Sequence, residues 1–128
     1  MKKTPLEEWI IKRTGISPAN SHALKTYQLE KLVETLSYAK DHSRFYQKQL
    51  AGIDPRQIKS WDQFERLPLT MAEDLKNNPF DFLCVPQSQI ARIVTLNTSG
   101  TSGQKKRIFF TEADLRKTID FFDYGMRS

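Results

Sequence analysis

Six consecutive residues, Thr98-Ser99-Gly100-Thr101-Ser102-Gly103, are drawn only from glycine, serine and threonine, and they constrain the fold more than any other feature. They are flanked by residues 90–96 (Ile-Ala-Arg-Ile-Val-Thr-Leu) and 107–111 (Arg-Ile-Phe-Phe-Thr), whose β-branched, alternating character predicts two strands. Small residues in a row commonly form a flexible linker. This run is short for a linker, and it mixes hydroxyls and glycines strictly. Glycines let successive backbone N–H groups turn towards one point, and serine and threonine hydroxyls add donors, which together suit an anion-binding concavity. Lys105-Lys106-Arg107 follows after Gln104 and brings cations to phosphate oxygens, although such a run can also be ordinary solvated charge.

Spacing separates this loop from other phosphate loops. The P-loop of nucleotide triphosphatases has four residues between its glycines and then Gly-Lys-Ser/Thr. Here Gly100 and Gly103 are three apart, Gln104 follows, and a strand comes next. The three-glycine dinucleotide fingerprint is missing. The esterase elbow fails too, because Gly103 follows Ser102 one position early and no His/Asp partners stand out.

Upstream, the pattern is helical. Thr4-Pro5-Leu6-Glu7 predicts a capped helix start, ended by Gly15 and Pro18. Residues 22–50 predict one longer amphipathic helix, with Leu29, Leu32, Val33, Leu36, Ala39 and then Phe45 or Tyr46 on one side. Ser60-Trp61-Asp62-Gln63 opens a small helix stopped at Leu67-Pro68. Thr70-Met71-Ala72-Glu73 opens another, closed by Asn77-Asn78-Pro79. After the second strand, Thr111-Glu112-Ala113-Asp114 caps a last helix over 112–124, with Leu115, Ile119, Phe122 and Met126 on its apolar face. The expected fold class is α/β, with residues 1–89 mainly helical and residues 90–128 forming strand, loop, strand and helix, one incomplete domain in all.

The chain has 128 residues, the size of one domain, with 38% hydrophobic and 27% charged residues, as in a globular protein. No apolar run approaches the ~20 residues of a membrane span, and no apolar segment of a signal peptide follows the first lysines. The single cysteine, Cys84, permits no internal disulfide. These features point to the cytoplasm. Apart from the run Lys105-Lys106-Arg107, the net charge of +5 is spread among acids rather than gathered in a patch, which weighs against nucleic-acid binding. Cys84 reads as a buried small hydrophobe in the apolar run 80–85. His22 and His42 have no partners at ligand spacing, and Trp9, Trp61 and Phe121-Phe122 read as core.

The segment from Thr98 to Lys106 resembles the phosphate loop of the adenylate-forming (AMP-binding) enzymes, the superfamily of acyl-CoA synthetases, luciferases and peptide-synthetase adenylation domains. Their motif reads Thr-Ser-Gly-Thr-Thr/Ser-Gly-x-Pro-Lys, and this chain follows it through the first six positions. Lys105 stands where the family has proline, and Lys106 takes the lysine position. Phe45-Tyr46, Asp54-Pro55, Ile58, Ser60, Leu67-Pro68-Leu69-Thr70 and Asp74-Leu75 resemble the amino-terminal region of the phenylacetate–CoA ligase branch, so the likeness runs from about residue 29 to residue 126. The family's later motifs are absent: the aromatic–Gly–x–Thr–Glu segment, the ribose-binding aspartate, the hinge and the catalytic lysine. The chain therefore resembles an amino-terminal fragment, a helical section leading into the first strands of the large sheet domain.

The resemblance implies an ATP-dependent ligase that converts a carboxylic acid and ATP to acyl-AMP and pyrophosphate, then passes the acyl group to coenzyme A. It implies that Thr98, Ser99, Gly100, Thr101, Ser102, Gly103 and Lys106 hold the nucleotide phosphates, and that Mg2+ accompanies ATP in the complete enzyme. It assigns no catalytic residue and no metal ligand within this chain, which is expected to be inactive alone. The other reading is a non-catalytic accessory or remnant chain that binds an anion or a protein. The isolated chain is expected to self-associate or to be partly unfolded beyond about Ile90, because two strands cannot cover the apolar groups of the last helix.

Overall fold

The computed structural model describes residues 3–97 and 105–126. Among these residues it shows α1 (Pro5–Thr14), α2 (Ser21–His42), α3 (Arg44–Gln49), α4 (Trp61–Glu65), α5 (Ala72–Asn77), β1 (Ile90–Asn97), β2 (Lys105–Thr111) and α6 (Glu112–Gly125), with 3₁₀ turns at Pro55–Gln57, Pro79–Phe82 and Gln87–Gln89. The fold class is mixed α/β: helices and one small antiparallel sheet.

Local chemistry accounts for the helix ends. The Thr4 hydroxyl accepts from the Glu7 N–H at 3.2 Å while the Glu7 carboxylate accepts from the Thr4 N–H at 2.7 Å, a reciprocal capping box. Those hydrogen bonds, the backbone one first, also hold the Glu7 carboxyl below its ordinary pKa. Gly15 closes α1 at φ 72°, a left-handed conformation that glycine adopts without a Cβ penalty. Thr111 and Asp114 repeat the capping box at the start of α6.

One expectation needs correcting: residues 22–50 are not one helix. Ser43 interrupts them in an extended conformation, φ −104° and ψ 126°. Its hydroxyl accepts from the Tyr46 N–H at 3.3 Å, capping α3, and donates to the Asp81 carbonyl at 2.9 Å. A serine side chain that satisfies backbone groups in this way competes with helix continuation. Ser43 is fully buried.

The core is small. Leu50 and Ile58 are its buried hydrophobic residues among those described, with Pro55 beside them. The expected stripe of α2, Leu29, Leu32, Val33, Leu36 and Ala39, is half-buried. Phe45 of α3 stacks on Phe82 with ring centroids 4.2 Å apart, and Tyr46 meets the same ring edge-on at 5.7 Å.

The hairpin pairs Ile93 with Phe109, Val94 with Ile108, Leu96 with Lys106 and Asn97 with Lys105, and an irregularity lies between Ile90 and Arg92. Directly opposed residues share a face of an antiparallel ladder. Phe109, on the same face as Ile93, is covered by Phe80 at 5.3 Å between ring centroids. The opposite face carries Val94, Leu96, Lys106 and Ile108.

The last helix docks on the first. The Trp9 indole N–H donates to the Asp120 carboxylate at 2.8 Å, Arg13 pairs with the same carboxylate, and the Trp9 ring meets Phe121 edge-on at 5.5 Å. Phe121 and Phe122, expected in the core, are 42% and 59% exposed. The reason is geometric: α6 meets α1 through Asp120 and Phe121, whereas Phe122 shares the other side with Ile119 and Met126, which are 68% and 80% exposed. Trp9, Trp61 and Cys84 are half-buried rather than core.

Candidate functional site

The hairpin brings together the two ends of the glycine–serine–threonine run. Asn97 and Lys105 are register partners at the last and first positions of the two strands. Thr98, Ser99, Gly100, Thr101, Ser102 and Gly103 lie outside the described residues. Of the expected site residues, Lys106 is placed: it sits on β2 opposite Leu96, half-buried. Alternation puts Lys106 on one face of the ribbon and Lys105 and Arg107 on the other.

Charge follows sequence here. Residues 90–111 contain Arg92, Lys105, Lys106 and Arg107 and no aspartate or glutamate. The ion pairs among the described residues are Arg13–Asp120, Lys31–Glu34 and Arg116–Glu112, and none of them neutralises these four cations. A ribbon of uncompensated cations leading out of a loop of N–H and hydroxyl donors suits phosphate oxygens. Among the described residues, no group of three or more His, Cys, Asp or Glu side chains is gathered where it could hold a metal ion. The described residues therefore supply no ready-made cage for Mg2+.

Beside β2 lies a cavity of about 410 Å³, walled by Tyr38, Leu75, Phe82, Cys84, Phe109 and Arg107 among others. The apolar run 80–85 marked one wall, but neither Tyr38 nor Asp114 could be assigned to it from sequence spacing, because they come from helices far apart in the chain. Burial pushes the Cys84 thiol pKa up, which lowers its thiolate fraction and makes it a poor nucleophile. Tyr38 stacks on His42 at 4.2 Å, and the His42 Nδ1 lies 2.9 Å from the Tyr38 carbonyl, so this histidine is engaged within its own helix.

Sequence relatives define the class: the chain is related to the adenylate-forming enzymes. Within that class its relatives are phenylacetate–coenzyme A ligases. It is 31% identical over 96 residues to the enzyme of that name from Thermus thermophilus, covering 73% of this chain and 21% of the relative. It is 30% identical over 116 residues to that of Escherichia coli, covering 88% of this chain and 26% of the relative. The enzyme of Pseudomonas putida is 30% identical over 100 residues, 76% of this chain and 22% of the relative. The chain thus spans about a quarter of the length of the curated relatives it matches. No family model matches it. No helix among the described residues is long and apolar enough to cross a membrane.

Proposed function

We propose that the chain is the phosphate-binding part of an ATP-dependent acid–thiol ligase, with residues 1–89 as helical scaffold and residues 90–128 as the start of the nucleotide-binding domain. The observation that carries this is the six-residue match Thr98–Gly103 on a hairpin whose strands bear four uncompensated cations. The relatives' printed activity supports the same reading. In the complete ligase a carboxylate oxygen of the acid attacks the α-phosphorus of ATP; the bond to the bridging oxygen breaks and pyrophosphate leaves. A thiol such as that of coenzyme A then attacks the acyl carbon and AMP leaves. The acid needs no general base, being ionised at neutral pH.

This chain's contribution is electrostatic. The backbone N–H groups and hydroxyls of Thr98, Ser99, Gly100, Thr101, Ser102 and Gly103 hold the nucleotide phosphates, and Lys106 adds a mobile cation. Donors fixed in advance stabilise developing phosphate charge without reorganisation at the moment of reaction. Titrating pyrophosphate into the labelled chain while following backbone amides by NMR tests the assignment. Shifts should concentrate at residues 98–106, and Thr101→Ala or Ser102→Ala should weaken them more than Lys106→Ala. Shifts spread over surface lysines, with the loop silent, would remove the phosphate role and leave a non-catalytic protein-binding chain as the better reading.

A further inference from the structure

We propose that the cavity beside β2 binds a small organic anion with an apolar body, the body laid along Phe109 and the charged head on Arg107. Its volume, about 410 Å³, falls in the range of small-molecule sites, which run from roughly 300 to 1,000 Å³. Separate parts of the chain enclose it: Tyr38 of α2, Leu75 of α5, Phe82 and Val85 of the segment between α5 and β1, and Phe109 of β2. Cys84 also lines it, and burial pushes its thiol pKa up, so it brings no charge. Walls of this kind take hydrocarbon, and the charged residues among them decide the head group.

Arg107 and Asp114 line the cavity, and they are not equivalent. The ion pairs among the described residues leave Arg107 without an acid, and it is exposed, so its guanidinium stands at the mouth with donors open to a ligand. Asp114 is committed: its carboxylate accepts from the Thr111 N–H at 3.0 Å in the capping box of α6. The two are also far apart. Arg107 and Thr111 are four positions apart on β2, about 13 Å of strand, so an anion at Arg107 is kept away from the Asp114 carboxylate. Alternation places Lys105 on the same face as Arg107, which raises the positive potential at that end of the cavity and not at the other. The polarity of the ligand follows, with its head towards the Lys105 end of β2 and its hydrocarbon towards Thr111. A planar guanidinium meets a carboxylate or a sulfonate with two parallel hydrogen bonds. A cation with the same body would face like charge, and a neutral molecule would leave Arg107 unused. Neither Arg107 nor Phe109 is among the residues assigned to phosphate, so the two readings fail separately.

The chain's single cysteine lines this cavity, so alkylation of Cys84 by neutral iodoacetamide, in mildly alkaline buffer, reports occupancy directly. Octanoate and octane-1-sulfonate, each below its micelle concentration, should slow the alkylation of the full chain. Their dissociation constants should lie below those of octylammonium and 1-octanol by about tenfold or more. Arg107→Gln should abolish that preference, and Arg107→Lys, which keeps the charge without the fork, should retain part of it. Circular dichroism should be unchanged in both variants, because an exposed side chain without an ion-pair partner is all that alters. Pyrophosphate has charge but no hydrocarbon and should leave the alkylation rate as it is. Four outcomes overturn the proposal: no protection by either anion; equal protection by 1-octanol or octylammonium; an anion preference that survives Arg107→Gln; or protection by pyrophosphate.

Discussion

At the scale of single residues, Ser43 and Asp120 hold distant segments together. Ser43 is fully buried, and its hydroxyl joins the start of α3 to the Asp81 carbonyl. Ser43→Ala leaves both groups short of a partner and should cost about 1–3 kcal/mol by urea unfolding. Ser43→Thr, which keeps the hydroxyl, should cost less unless the added methyl does not fit. Asp120 joins α6 to α1, and its carboxyl is held below the ordinary value of 3.8 by the Trp9 N–H first and by Arg13 second. A carboxylate whose native pKa is depressed contributes stability above its unfolded value and loses it as pH falls through the native one. Asp120→Asn should therefore lower stability near neutral pH and flatten the loss of stability between pH ~4 and ~2, read from denaturant midpoints across that range. A variant with the wild-type acid limb would show that the tie is immaterial. Neither residue was legible in the sequence. Ser43 sits in an unbroken helical pattern, and Asp120 finds Trp9 across a separation that only the fold supplies.

At the scale of elements, the parts written in local chemistry were legible and the parts set by packing were not. Both capping boxes, the strands expected over 90–96 and 107–111 and found at Ile90–Asn97 and Lys105–Thr111, and the short helices after Ser60 and Thr70 follow from neighbouring residues. The α2–α3 break and the exposed side of α6 depend on what each element meets. The two glycines at helix ends make a clean comparison. Gly15 sits at φ 72° with nothing within 4 Å of where a Cβ would stand, so Gly15→Ala carries only the conformational penalty of a left-handed residue, about 1–2 kcal/mol of destabilisation. Gly125 has equally open space but lies within α6 without positive φ, so Gly125→Ala should be neutral or stabilise by up to about 1 kcal/mol. Thermal unfolding of the two variants side by side checks both signs. Equal effects would mean that backbone conformation is not what distinguishes them.

At the scale of the molecule, a modest core of Leu50, Ile58 and stacked aromatic rings supports the β1–β2 hairpin. A phosphate loop is a run of contiguous residues, so a candidate such as Thr98–Gly103 stands out in a sequence, whereas an acyl pocket or a metal cage is assembled from distant residues. That asymmetry also sets what this chain can do. In the proposed function it supplies donors for the nucleotide's terminal phosphates, whereas the ribose-binding aspartate, the segment that meets magnesium and the catalytic lysine found in the family have no counterpart in its 128 residues. Phosphate binding and adenylation should therefore separate. Pyrophosphate should perturb the loop, while acid-dependent exchange of pyrophosphate into ATP stays at background with aryl and fatty acids alike. Grafting residues 90–128 into a full-length phenylacetate–coenzyme A ligase should preserve exchange, because the grafted loop would supply the same donors. In that chimaera Thr101→Ala and Ser102→Ala should each reduce turnover, by up to about 1,000-fold, and Lys106→Ala by less, since a lysine on a flexible stem beside Lys105 is the more replaceable donor. Exchange well above background by the chain alone would overturn the separation, and Lys106→Ala as the worst of the three variants would overturn the ranking.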